Sequence, residues 1–122
     1  MDTRTALKLA KEIDYSDIRS DARSILDAED GADFVVCFER AEYRFIRDDE
    51  ISSIFREEME ELADDCYDIS RIKERLGNVG QYFTFDYDAF VRDCEMDGYG
   101  HHFAGYDGEE IEADDWHAFR IN

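Results

Sequence analysis

The chain contains no proline among its 122 residues, and it has no low-complexity tract and no internal repeat. It also lacks a change of composition that would mark the boundary between two domains. A length of 122 residues suits one domain of ordinary size with its own core. We therefore expect a single acidic domain over residues 1–122, in which Gly77 to Gly80 could form a pivot between two halves.

Basic residues are scarce. The chain has 14 Lys and Arg against 33 Asp and Glu, which gives a net charge of -19. Nucleic acids and anionic membranes are themselves polyanions, so we expect no direct binding to either and favour a basic protein partner. Hydrophobic residues make up 43% and aromatic residues 14% of the chain, more than disordered acidic tails carry. The charge therefore belongs to a folded body.

Signals for export and for disulfide formation are also missing. The first residues alternate charged and apolar side chains, unlike a signal peptide, and no run of 18 apolar residues occurs. We expect a cytoplasmic location. Cys37, Cys66 and Cys94 are widely spaced without a CxxC motif, a pattern typical of reduced core thiols.

Known catalytic and metal-binding motifs are absent. The sequence has no P-loop, GxGxxG, GxSxG or HExxH, so we predict that the protein is not an enzyme. An EF-hand alignment of "DYDAFVRDCEMDG" places Phe90 where an oxygen ligand is needed. Zinc binding by His101, His102, His117 and Cys94 is disfavoured because adjacent histidines on a predicted strand point to opposite faces. We therefore predict no cofactor and no metal site.

Hydrophobic periodicity predicts an α+β fold that begins with a helix pair and a short hairpin. The first helix covers Thr3–Ile13 with Thr3 as its N-cap, and the second starts after an N-cap at Ser16 and stops at Gly31. Alternating Val, Phe, Tyr and Ile residues then predict a hairpin with strands at 34–38 and 42–46. One bent strand is the alternative, because Arg40 and Ala41 are not the usual residues of a hairpin turn.

The second half of the chain starts with a long acidic amphipathic helix over residues 48–68. Its predicted buried stripe has apolar residues three or four positions apart: Ile51, Ile54, Phe55, Met59, Leu62 and Cys66. A helical turn ending at Gly77 and a helix ending at Gly98 follow. We expect the tail to form a small antiparallel sheet from "HHFAGY", a turn at Asp107-Gly108, "EEIEA" and "WHAFRI".

The acidic residues are concentrated in two segments. Residues 48–68 hold ten acidic residues and one basic residue, and residues 86–115 hold eleven and one, whereas residues 1–47 are close to balance. In a helix that rises about 1.5 Å per residue, the first segment has about one negative charge every 3 Å. One strand of duplex DNA has a phosphate about every 3.4 Å. Pairs such as Glu57 and Glu61 also repel each other, at a cost of roughly 0.2 to 0.5 kcal/mol each.

Two groups of carboxylates are therefore candidates for binding a basic partner. The first acidic cluster contains Glu57, Glu58, Glu60, Glu61, Asp64 and Asp65. The second acidic cluster contains Asp107, Glu109, Glu110, Glu112, Asp114 and Asp115. A solvated charged face and adaptation to high salt are the alternative interpretations. The near-balanced charge of residues 1–47 argues against salt adaptation, which should make most surfaces acidic.

The stretch "QYFTFDYDAFVRDCEMDG" resembles the C-terminal signature of the antirestriction ArdA family. The matching residues are Phe85, Asp86, Tyr87, Phe90, Arg92, Asp93 and Cys94. The later "GYDGEE" and "HAFRIN" are similar to the hairpin that often follows this signature. The resemblance covers roughly the last 45 residues, with Thr84-Phe85 inserted, and the chain is shorter than typical family members.

This resemblance implies an anti-defence protein of a phage or mobile element. Its carboxylates would mimic DNA phosphates and block the DNA-binding surface of a restriction-modification enzyme or a CRISPR effector. The runner-up hypothesis is an acidic protein-interaction module, or a salt-adapted cytosolic protein, without DNA mimicry. A homodimer is a further expectation, since two-fold symmetry would extend the charged surface.

Overall fold

The structure is a computed structural model that describes residues 1–13 and 17–122. The described residues have the predicted α+β fold. The helices are α1 (Thr3–Ile13), α2 (Ile18–Ala28), α3 (Asp48–Tyr67), α4 (Ile69–Arg75), α5 (Tyr87–Met96) and α6 (Tyr99–Phe103), with a 3₁₀ helix at Gly77–Tyr82. The strands are β1 (Asp33–Cys37), β2 (Glu42–Arg47), β3 (Ile111–Ala113) and β4 (Trp116–Arg120).

These elements belong to two compact units. The first unit contains Met1–Ser52 and Tyr99–Asn122, and the second contains Ser53–Gly98. The Gly77 to Gly80 segment lies inside the second unit. None of the helices in the described part of the chain is long and apolar enough to cross a membrane.

The first unit is built on one four-stranded antiparallel sheet with the order β1-β2-β4-β3. The predicted N-terminal hairpin is confirmed. The C-terminal strands do not form a separate sheet, because β4 pairs with β2 and places Ala118 opposite Phe45. Period-two alternation explains this pairing, since Trp116 and Ala118 extend the apolar face that Phe34 and Phe45 begin.

The main core lies between one face of this sheet and helices α1 and α2. Phe34 stacks on Phe45 with ring centroids 5.3 Å apart and meets the edge of Trp116 at 5.5 Å. From the helices, Leu9 and Ile25 are fully buried against this layer, together with the small side chains Ala6, Ala10 and Ala22. The helix pair therefore buries its apolar face against the sheet.

Aspartate side chains accept backbone hydrogen bonds at the start of α1 and of α2. The prediction that Thr3 caps α1 is wrong, because Thr3 is already helical and the Asp2 carboxylate accepts from the Thr5 amide at 2.7 Å. That hydrogen bond lowers the pKa of Asp2. The predicted cap at Ser16 lies outside the described residues, and the side chain of Asp17 accepts from Ser20 N at 3.1 Å. Asp is at least as good an N-cap as Thr.

The prediction of a strand at "HHFAGY" is wrong, because its first three residues are the end of helix α6. Phe103 of α6 packs on Phe119 of β4 with ring centroids 5.1 Å apart, so it covers the second face of the sheet. Gly100 makes this possible, since a Cβ there would lie 2.6 Å from the Gly108 carbonyl oxygen. The predicted turn at Asp107-Gly108 is present, and Gly108 has a positive φ. It connects α6 to β3, however, and does not join two strands. The β3–β4 turn lies at Asp114, whose φ is +54°.

The second unit contains most of α3, and the predicted buried stripe is confirmed only in part. Phe55 and Met59 are buried as predicted, but the stripe continues through Ala63, whereas Leu62 and Cys66 are exposed. Ala63 follows Met59 by four residues, so the buried row stays on one helical face. The three cysteines are free, but Cys37 and Cys66 are exposed and only Cys94 is half-buried, so the prediction of core thiols is wrong for two.

The predicted helix ends at Gly77 and Gly98 are confirmed. Both glycines follow a helix and have positive φ, 58° and 89°. Gly80, in the 3₁₀ helix, has another role, because it is buried against the backbone of Lys73 in α4. A Cβ at Gly80 would overlap the Lys73 carbonyl oxygen and lie 3.1 Å from its carbonyl carbon. Glycine is therefore required for α4 and the 3₁₀ helix to pack this closely.

We expect Gly80→Ala to lower the free energy of unfolding by roughly 1 to 3 kcal/mol, the usual cost of overpacking. Urea unfolding followed by the helical circular dichroism signal measures this loss. Gly105→Ala is the matched control, because a Cβ at Gly105 meets no atom within 4 Å. Equal unfolding midpoints for the two variants would contradict the close packing at Gly80.

Candidate functional site

Three carboxylates of the first acidic cluster form an exposed row on α3. Glu57, Glu61 and Asp65 are four residues apart, which places them along one side of the helix. All three are exposed, and within residues 1–13 and 17–122 they have no hydrogen-bond or ion-pair partner. The buried side chains Phe55 and Met59 lie on the other side of the helix. We call Glu57, Glu61 and Asp65 the α3 acidic row.

Other members of the first acidic cluster are held by contacts within the second unit. Arg56 donates to Glu60 at 3.0 Å and also to Asp88 in the first turn of α5. The Tyr87 hydroxyl donates to Asp64. Glu58 is half-buried. Because Arg56 pairs with two acids, it offsets part of the repulsion among the carboxylates beside the row. Among the described residues it makes no ion pair with the row, whose side chains face solvent.

The residues that carry the family resemblance position α5 beside the end of α3. Asp86 caps α5 by accepting from Ala89 N at 3.0 Å. The rings of Phe85 and Phe90 lie 5.8 Å apart, and both contact Tyr67 at the end of α3, at 5.8 and 6.0 Å. These residues therefore have a packing role, and through α5 they place Tyr87 and Asp88 against the first acidic cluster.

The second acidic cluster is mostly engaged within the first unit. Asp114 accepts from the buried Thr5 hydroxyl at 2.6 Å and from Lys8 Nζ at 3.0 Å. The Thr5 hydrogen bond, then that of Lys8, lowers the pKa of Asp114. Asp107 accepts from Glu109 N at 3.0 Å in its own turn. These carboxylates support the fold locally.

Glu110 and Glu112 of the second acidic cluster surround a buried histidine. His117 is 4% exposed, and its Nδ1 contacts the Glu110 carboxylate. Its Nε2 lies 2.7 Å from Asp48 Oδ1 and 3.7 Å from Glu112 Oε1. Burial disfavours the charged imidazolium, but the hydrogen bonds to Asp48 and Glu110 outweigh it, so the pKa of His117 is raised.

Glu109 and Asp115 complete the second acidic cluster, and both side chains are exposed. The backbone carbonyl of Asp115 accepts from Asp48 N at 2.7 Å, so it ties the β3–β4 turn to the start of α3. The structure therefore separates the twelve predicted residues by environment. In the first acidic cluster, the three carboxylates of the α3 acidic row are exposed and have no partner among the described residues. In the second acidic cluster, four of the six carboxylates have intramolecular partners.

The contact between Asp48 and His117 was missed by the sequence analysis. The two residues are 69 positions apart and meet only because β4 pairs with β2, which leads directly into α3. The ligand atoms of Asp48, Glu112 and His117 lie within 4.8 Å of one another. The strand argument used for His101 and His102 is wrong, since both residues lie on helix α6.

Comparison with known proteins identifies no relative. No protein-family model matches the chain, and neither the curated proteins nor the solved structures include a significant match. The charge and geometry of the two acidic clusters are therefore the structural evidence for function.

Proposed function

We propose that this protein is a DNA-mimic anti-defence inhibitor. It acts in the host cytoplasm by blocking the DNA-binding surface of a restriction-modification enzyme or a CRISPR effector complex. The observation that carries the proposal is the α3 acidic row, whose three carboxylates are exposed and have no partner among the described residues. It is also the function that the resemblance of the α5 region to the ArdA family signature implies.

The spacing of the row suits a surface that binds a phosphate backbone. Successive members of the row are four residues apart, which is about 6 Å along a helix. Every second phosphate of one DNA strand is about 6.8 Å away along the duplex axis, so the two spacings are close. Lysine and arginine side chains that hold alternate phosphates could therefore reach successive carboxylates of α3.

The fixed neighbours of the row also favour this function. Arg56 and the Tyr87 hydroxyl hold Glu60 and Asp64, so these carboxylates need less ordering when a partner binds. The ten acidic residues and one basic residue of segment 48–68 would steer a basic partner toward the row and speed association, and this effect should weaken as salt rises. The inhibitor acts by occupancy and needs no chemical step.

A competition assay tests this proposal. A fluorescently labelled cognate duplex is bound to a purified restriction-modification enzyme or CRISPR effector, and the protein is titrated in while anisotropy is followed. The assay is run with each kind of enzyme, and we expect the protein to release the duplex from at least one of them. The potency of release should fall steeply as the salt concentration rises.

An unrelated basic DNA-binding protein serves as the control for general polyanion effects. Release from the defence enzyme at concentrations that leave this control complex intact supports specific mimicry. Equal release from both proteins would contradict the proposal and indicate general polyanion competition. Release from neither would contradict it and favour the acidic protein-interaction module.

A further inference from the structure

The histidine of strand β4 and its three carboxylate neighbours form a group separate from the α3 acidic row. His117 is buried, Glu110 precedes β3, Glu112 lies in β3, and Asp48 is the first residue of α3. All four residues belong to the first unit. The three carboxylates converge on one imidazole, so the group is a polar centre on β4 between the apolar residues Trp116 and Ala118.

The two ring nitrogens of His117 have different neighbours. Nδ1 faces the carboxylate of Glu110, which accepts a hydrogen bond and so keeps a proton on Nδ1. Histidines that bind a metal commonly donate their other ring N–H to a carboxylate in this way. Nε2 faces Asp48 and Glu112, and their side chains are 62% and 64% exposed. A metal ion that displaces the proton on Nε2 would therefore bind at Nε2, and solvent ions can reach the two carboxylates.

The distances around Nε2 are close to those of a coordination sphere. Two ligands about 2.0 to 2.1 Å from a tetrahedral zinc ion lie about 3.3 Å apart. The Asp48 oxygen is 2.7 Å and the Glu112 oxygen 3.7 Å from Nε2, so the observed values lie on either side of this separation. Because both carboxylates are largely exposed, a shift of about half an ångström requires only side-chain rotation.

The charges in this group also favour a divalent cation. Three carboxylates surround one imidazole, so even a protonated histidine leaves the group negative. A dication that replaces the Nε2 proton, which passes to solvent, adds one further positive charge. One imidazole nitrogen with carboxylate oxygens suits Zn²⁺ and related first-row ions, whereas Ca²⁺ and Mg²⁺ prefer oxygen ligands alone.

We propose that Asp48, Glu112 and His117 bind one divalent first-row transition-metal ion, with Glu110 orienting the imidazole. Water would complete the coordination sphere. Since Asp48 begins α3 and Glu112 and His117 lie on paired strands, the ion would fasten the start of the acidic helix to the sheet.

Calorimetric titration of the full chain with Zn²⁺ at physiological salt, about 0.15 M, tests this site. We expect one ion per chain. Glu110→Gln should weaken its affinity about 10 to 100-fold, as loss of a partner that orients a metal ligand does. Glu112→Gln removes a ligand and should weaken binding at least as much, and circular dichroism confirms that each variant is folded.

The double variant Glu57→Gln/Glu61→Gln is the matched control, because it removes two carboxylates from the α3 acidic row and leaves the His117 group intact. Its zinc affinity should equal that of the unaltered chain. Similar weakening in this control, wild-type affinity in Glu112→Gln, or several equivalent ions per chain would overturn the site and indicate diffuse counterion binding. The inference is independent of DNA mimicry, which the competition assay tests separately.

Discussion

Replacing Glu57, Glu61 and Asp65 together with lysine is expected to abolish the release of duplex DNA from the target enzyme. Close charge pairs at protein interfaces contribute about 1.5 kcal/mol or more each. Loss of three such pairs therefore weakens binding by roughly a thousandfold, since about 1.4 kcal/mol corresponds to a factor of ten. Each lysine also repels the basic groove, so the loss should exceed this value. Titration of the variant in the anisotropy assay measures it.

A second triple variant controls for net charge. Glu12, Asp27 and Asp30 are exposed and lie in the first unit, within the segment of near-balanced charge. Changing these three residues to lysine alters the net charge by the same amount but leaves the α3 acidic row intact. We expect this variant to release DNA almost as well as the unaltered chain. Equal loss of potency in both variants would show that total charge, rather than the row, determines binding.

The elements predicted correctly from the sequence are those defined by local periodicity. The 3.6-residue repeat identified α1, α3 and α5, and the alternation of residues 34–46 identified the hairpin. Helix α6 was missed because its five residues are too short to show a helical period, and aromatic "HHF" has strand propensity. The single sheet was missed because the pairing of β2 with β4 joins residues 69 to 77 positions apart.

The candidate site shows the same division between local and long-range information. The position of the α3 acidic row follows from helical spacing alone, since Glu57 and Glu61 avoid the side that carries Phe55. The environment of the second acidic cluster could not be predicted from local spacing, because Asp114 accepts a hydrogen bond from Thr5, which is 109 positions away. Helical spacing therefore predicted which carboxylates share a side of α3, but the sequence could not predict which carboxylates have partners.

Replacing Trp116 with alanine is expected to have the largest effect on the stability of the first unit. Trp116 is 2% exposed, and its ring meets the edge of Phe34 between the sheet and the helix pair. Truncation of a buried tryptophan typically costs 3 to 5 kcal/mol, because it removes apolar contacts and leaves a cavity. Domains are stable by only about 5 to 15 kcal/mol. Urea unfolding followed by circular dichroism should therefore show a large loss, and zinc affinity should fall with it because β4 also positions His117.

Tyr82→Ala provides the comparison for this variant, because it also removes a large aromatic side chain. Tyr82 is 80% exposed, so its truncation should change the free energy of unfolding by no more than about 0.5 kcal/mol. A difference between the two variants of several kcal/mol is expected if the core between the sheet and α1 and α2 supports the first unit. A loss at Trp116 as small as that at Tyr82 would contradict this core. The contact of His117 with Asp48 would then also need another explanation, because the pairing of β4 with β2 brings these two residues together.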